Sequence, residues 1–288
     1  MAKGTLRIAL ALVATLCASG AWAGEIFGSS TADELTQGLE LSKTQCEELA
    51  ARELLSHVVF SSDVTPAQQT QAVKALRDLS AKTILSSTVL KDDPVAYSYT
   101  VKAKDTLASV SKRCGCPAEI LQQINDMKTD ALQVGSTIKL LRGPFRAQID
   151  KSQCVLDVYL KDATGAKTFV YRARVAVGRN DGTPEGLFRI AGKAEKATWN
   201  PPTSMKDDHP DPVKWGEKGY PLGKDGLFMR LAGAEPKTSK VKGYGIHSTN
   251  SQGSIGHPRS HGCVRVGDKD IRNLYTMLDV GSEVQIIP

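Results

Sequence analysis

The chain has 288 residues, 41% hydrophobic and 24% charged, with a formal net charge of +6. That balance is globular, leaves room for more than one domain and excludes a disordered chain. A mild cationic excess without a dense Lys/Arg run argues against nucleic acid as the main ligand.

Lys3 and Arg7, the apolar run Ile8 to Ala18 and the triplet Ala21-Trp22-Ala23 follow the order of a secretory signal peptide over residues 1–23. The apolar run is shorter than the ~20 residues that span a bilayer, so a membrane anchor is the weaker reading. Cleavage removes Cys17 and takes the net charge from +6 to +4. With no later stretch apolar enough to cross a membrane, the product is expected in an exported compartment.

Five cysteines then remain: Cys46, Cys114, Cys116, Cys154 and Cys263. An odd number leaves one free thiol, and Cys263 stands in the most reactive context. Because Gly115 alone separates Cys114 from Cys116, a bridge between those two would be strained, and each is expected to pair with Cys46 or Cys154. A zinc site is not expected, since Cys114-Gly115-Cys116 lacks a second closely spaced ligand pair. No cofactor is implied.

Over residues 24–93, apolar residues at helical spacing (Leu35, Leu39, Leu49, Leu54, Val58, then Ala72, Val73, Leu76, Leu79, Ile84) predict two helices. The break falls at Ser61 to Pro66, with Thr65 as cap and Pro66 at the first helical position. Nothing in this segment carries chemistry, which reads as packing or partner binding. Asp92-Asp93-Pro94 is a linker.

Residues 97–141 change character. Tyr99 and Val101 alternate on a strand, Asp105 or Thr106 can cap a helix carrying Leu107 and Val110, Ile120, Leu121 and Ile124 follow, and Ile138 and Leu140 return as a strand. With Asp105-Thr106-Leu107, Ile124-Asn125 and Leu132-x-x-Gly135, this segment resembles a LysM domain. The resemblance implies a βααβ module that binds N-acetylglucosamine-containing glycan strands. It departs from the family at Lys104, where the turn usually holds Gly.

From residue 144 to 288 the period becomes two. Val155, Asp157 and Tyr159 alternate with Cys154, Leu156, Val158 and Leu160, a turn falls at Asp162 to Gly165, and Phe169 to Val177 alternate again. A strand over Leu187 to Ala191, a long Pro-rich excursion from Asn200 to Pro212, a short helix over Asp270 to Leu278 and a closing strand over Val284 to Ile287 complete the segment. The fold class expected for the whole chain is multidomain α+β.

The chemistry is concentrated in Gly245-Ile246-His247-Ser248-Thr249-Asn250 and Ser260-His261-Gly262-Cys263-Val264-Arg265. A thiolate attacks carbonyl carbon far better than a thiol, so a nucleophilic Cys263 needs an imidazole, and His247 and His261 are both candidates. Gly262 lets a substrate approach backbone N–H groups, the donors an oxyanion hole requires. His209 and His257 read as exposed loop histidines.

With Thr183-Pro184-x-Gly186-x-Phe188, Asn200-Pro201-Pro202, Tyr220-Pro221-Leu222-Gly223 and Ser254-Ile255-Gly256, these motifs make residues 144–288 resemble the YkuD-type L,D-transpeptidase domain. The resemblance implies a β-rich core in which Cys263 is the nucleophile and His247 its base. The substrate is a peptidoglycan stem peptide, attacked at the carbonyl joining diaminopimelate to the terminal D-Ala. The thioester is resolved by an amine, either of another stem peptide or of a lysine on an outer-membrane lipoprotein. The amides of Gly262 and Cys263 would stabilise the oxyanion, His261 would shape the loop, and Ser248 or the backbone beside it would orient His247. Arg265, Ser260 and Tyr244 are substrate-binding candidates, Arg265 equally able to brace the loop. The competing expectations are a hydrolase that uses water as acceptor and a non-catalytic peptidoglycan-binding protein.

Overall fold

A computed structural model describes residues 30–201 and 211–288. The signal-peptide reading, Pro202 and His209 lie outside the described residues. Among those described, no helix is long and apolar enough to cross a membrane.

Three helices form the first layer: α1 (Thr31–Leu41), α2 (Glu48–Phe60) and α3 (Pro66–Thr83). The sequence predicts two. The extra break lies at residues 42–47, where the Lys43 and Thr44 amides turn back onto the Glu40 and Leu41 carbonyls and Cys46 sits at φ 67°. A positive φ at a non-glycine residue interrupts the helical ladder, and no Gly or Pro announces it. The cap expected at Thr65 forms: its hydroxyl accepts from the Gln68 amide and Gln68 reaches back.

Leu35, Leu55, Val58, Leu76 and Leu79 close around a shared core, and the ring of Phe169, from the sheet, enters it. Phe169 is held at both ends of its peptide. Its N–H donates to Ser56 Oγ at 3.0 Å, and its carbonyl accepts from Ser80 Oγ at 3.1 Å. The helices therefore pack on the sheet.

The βααβ module follows, with β1 (Ala96–Thr100) antiparallel to β2 (Thr137–Leu141) and α4 (Leu107–Cys114) and α5 (Ala118–Ile124) between them. Thr106 caps α4 by accepting from the Ser109 amide. Lys104, where the LysM pattern usually has Gly, takes φ 72°, so the turn keeps the glycine-type conformation without the glycine. At the module's exit a Cβ on Gly143 would fall 2.0 Å from the Gly115 carbonyl oxygen, so a side chain there would force the backbones apart. The core then runs on without a break from Val110, Ile120 and Leu140 into Phe145, Ala147 and Val284.

A buried polar knot ties helices, linker and module together. Arg52 donates to Asp93 at 2.7 Å and to Thr83 Oγ1 at 3.1 Å. Lys139 Nζ donates to the carbonyls of Thr83, Ser86 and Thr88, at and just past the end of α3, where carbonyls lack helical partners.

The last domain is a closed sheet. Its strands are β3 (Arg146–Asp150), β4 (Val155–Lys161), β5 (Lys167–Gly178), β6 (Gly186–Ala194), β7 (Phe228–Gly233), β8 (Gly245–Ser248), β9 (Pro258–Ser260), β10 (Val264–Val266) and β11 (Glu283–Ile287), with α6 (Ile271–Met277) before the last. Their order is β10-β8-β7-β6-β11-β3-β4-β5-β9, and β10 also pairs with β5, which joins the two sides of the sheet. β4 is buried on both faces rather than one, because the helical layer covers the face that carries Asp157 and Tyr159.

The two expected disulfides are not formed. Cys46 is exposed on the turn before α2, whereas Cys114, Cys116 and Cys154 are free and buried in the core running from the βααβ module into the sheet. There they pack as small hydrophobes, so the pairing argument no longer singles out Cys263. Its standing rests on its surroundings.

Candidate active site on the β8–β10 edge

Strands β8 and β10 run parallel with Ile246 opposite Val264 and His247 opposite Arg265. Alternation sends Ile246, Val264 and Val266 into the core, each no more than 1% exposed. His247 and Arg265 take the other face. Cys263 stands one step before β10, beside Gly245, so the same alternation brings thiol, imidazole and guanidinium to one side. The partly exposed Cys263 thiol donates to the Gly243 carbonyl at 3.8 Å.

His247 is enclosed by its strand neighbour. Phe228 of β7 pairs with it and stacks on its ring, with centroids 5.9 Å apart and planes 15° from parallel. Gly245 makes room: a Cβ there would lie 2.5 Å from Phe228 Cζ. His247 Nδ1 lies 2.6 Å from the Ser248 carbonyl oxygen, a pure acceptor, so the proton belongs on Nδ1 and Nε2 is left as a free base. Burial pushes the imidazole down to about 4, aided by the charge of Arg265 and opposed by the Ser248 bond. Burial likewise pushes the Cys263 thiol up, against a backbone hydrogen bond from Gly245 and the charge of Arg265. Both groups are therefore neutral near pH 7.

The Ser248 hydroxyl has another duty. It donates to the Leu222 carbonyl and accepts from the Leu227 amide, pinning the Tyr220 to Leu227 segment to β8. The backbone carbonyl of Ser248, not its side chain, fixes His247. Ser260 is also internal: its hydroxyl donates to the Cys263 carbonyl at 2.6 Å and accepts from the Gly262 amide at 3.0 Å. The Gly262 N–H expected to face an oxyanion is thus engaged, and the Cys263 N–H is the remaining candidate of the two.

Gly262 holds φ 130°, and a Cβ would meet the Tyr244 ring at 2.7 Å, so Tyr244 lies against the loop. Thr183 secures the loop from behind, donating to the Gly262 carbonyl and accepting from the Gly178 amide, both at 2.7 Å. His261 is exposed and pairs with Arg179 at 3.1 Å, while His257 is exposed as expected. Phe228, Arg179 and the bracing role of Thr183 escaped the sequence reading. The motif Thr183-Pro184 was visible, but not what it held.

Among the described residues no group of three or more His, Cys, Asp or Glu gathers as a metal site. A cleft of about 280 Å³, lined by Gly115, Cys116, Pro144, Phe145 and Val280, opens where the βααβ module meets the sheet and includes neither Cys263 nor His247.

A closed β domain with a thiol and a buried imidazole on one strand edge has the parts of a cysteine-dependent acyl-transfer site. Residues 144–286 match the family model of the YkuD L,D-transpeptidase catalytic domain, and residues 99–140 match that of the LysM domain. The chain belongs to the L,D-transpeptidase family through the first and carries a LysM domain through the second. YqjB of Bacillus subtilis, named for the L,D-transpeptidase class, is 34% identical over 113 residues, covering 39% of this chain and 56% of that protein. YbiS of Escherichia coli, named likewise, is 31% identical over 102 residues, covering 34% of this chain and 31% of its own length. The chain thus spans about half or less of these relatives. YkuD of Bacillus licheniformis is 27% identical over 198 residues, covering 66% of this chain and 98% of its own. A solved L,D-transpeptidase from Mycobacterium smegmatis is 18% identical with TM-score 0.35, over 54% of this chain and 64% of that one.

Proposed function

We propose that this chain is an exported, periplasmic cysteine acyltransferase, a peptidoglycan L,D-transpeptidase. Residues 24–93 would serve as a packing layer, 97–141 as a glycan-holding module and 144–288 as the catalytic domain. The observation that carries the reading is the parallel β8–β10 register, which gives Cys263 and His247 a common face with His247 Nε2 unprotonated.

In this reading His247 Nε2 accepts the Cys263 thiol proton as sulfur attacks the carbonyl joining diaminopimelate to D-Ala. The neutral resting pair suits proton transfer coupled to attack. The Cys263 amide supplies an oxyanion donor. The imidazolium then protonates the departing D-Ala amine, leaving a thioester, and an incoming amine loses a proton to His247 as the new amide forms. A stem peptide gives a crosslink between two third residues, and a lipoprotein lysine gives an anchor. The LysM module keeps the enzyme on glycan and raises the local concentration of stems.

Incubating the protein with tetrapeptide muropeptides and an added amine, then separating products by mass, tests the reading. Crosslinked or exchanged species are expected. Tripeptide alone would make the protein a hydrolase, and full activity in Cys263→Ala would remove the nucleophile from the mechanism.

A further inference from the structure

The arginines buried in this fold have carboxylates: Arg52 pairs with Asp93 and Arg172 with Asp157. Arg265 and Arg179 differ. Arg265 is half-buried on the face it shares with Cys263, and no carboxylate among the described residues pairs with it. Arg179 follows Gly178, which pairs with Ser260 across β5 and β9, so its side chain comes up beside the nucleophile loop. There its guanidinium donates to His261 Nε2 at 3.1 Å, which makes that nitrogen an acceptor and His261 a neutral imidazole protonated on Nδ1. The positive charges of both arginines are felt at His261, whereas only that of Arg265 is felt at Cys263. Arg265 shares the face of Cys263, and Arg179 reaches the same loop through His261.

A half-buried guanidinium is stable when an anion completes its hydrogen bonds, and no carboxylate among the described residues does so for Arg265. We propose that Arg179 and Arg265, bridged by His261, bind the carboxylate of the residue that leaves with the amine side of the scissile bond. The inference rests on Cys263 being the nucleophile. It assigns Arg179, an exposed residue outside the Cys-His motif, to donor selection: a chain ending one residue past the attacked carbonyl places its carboxylate there, and an amidated or extended chain does not. Arg179 is a binding residue and takes no part in proton transfer.

Bromoacetyl-D-alanine and its carboxamide test this without a peptidoglycan substrate. In both, sulfur displaces bromide, a C–S bond forms and the thiol proton passes to His247; only the acid carries the charge. The wild-type protein should be modified at Cys263 about tenfold faster by the acid than by the amide. Arg179→Gln should cut that ratio to about two- or threefold, the part that Arg265 still holds, by slowing the acid more than the amide, and Arg179→Lys should keep more of the preference. An undiminished ratio in Arg179→Gln, or a parallel fall in both rates, overturns the assignment. Failure of both reagents to modify Cys263 in the wild type would instead remove the nucleophile reading beneath it.

Discussion

His247 takes its character from two neighbours. The Ser248 carbonyl fixes its tautomer, and the stacked Phe228 ring keeps water away, so the imidazole stays neutral down to about 4. In the proposed mechanism the neutral base is the working form, so activity should be lost as pH falls through that value. Phe228→Ala opens the ring to water, which favours the charged form and raises its pKa toward the ordinary ~6.5. The acid limb of the kcat/KM profile should move upward by at least one pH unit, and an unmoved limb would show that Phe228 does not set the base. Lys104 offers a residue-scale test in the LysM module. At φ 72° a lysine is strained and glycine is not, so Lys104→Gly should raise stability by about 1 kcal/mol, read as a higher denaturation midpoint.

At the scale of elements, the knot between α2, the linker and β2 holds three segments in register. Arg52 is 1% exposed and Asp93 6%; Asp93 Oδ1 accepts from Arg52 and from the Val95 amide, while Oδ2 has no hydrogen-bond partner. Removing the arginine strands a buried carboxylate, so Arg52→Met should destabilise the protein by about 3 kcal/mol in chemical denaturation, and adding Asp93→Asn should recover part of it. Periodicity made α3, β1, β2, the β4–β5 hairpin and β11 legible because each depends on local pattern. The break at residues 42–47 was hidden because it turns on a positive φ at Cys46. The cysteine pairing failed for a related reason: counting thiols says nothing about which core each is packed in. At the site, the motifs brought Cys263 and His247 into view, and the β8–β10 register sets them on one face. The duties of Ser248, Ser260 and Gly262 could not, because each is decided by a backbone partner that sequence spacing does not reveal.

For the molecule as a whole, the helical layer belongs to the catalytic structure. An apolar stripe on α2 and α3 announces a buried face without saying against what, and the answer is Phe169 of β5, fully buried with its peptide bonded to Ser56 and Ser80. Phe169→Ala should destabilise by about 3 to 5 kcal/mol. It should also loosen residues 31–83 along with β5 in hydrogen exchange; exchange confined to the helices would mean that the layer is only appended. Support of this kind matters because β5 pairs with β10, the strand that follows Cys263.

The most direct measurement is the intact mass of the protein after brief exposure to a disaccharide tetrapeptide. The mechanism requires a thioester-linked tripeptide at Cys263 with release of D-alanine, absent from Cys263→Ala and slowed in His247→Gln. A protein that releases D-alanine with no adduct on residue 263, or with the adduct on another residue, would contradict it.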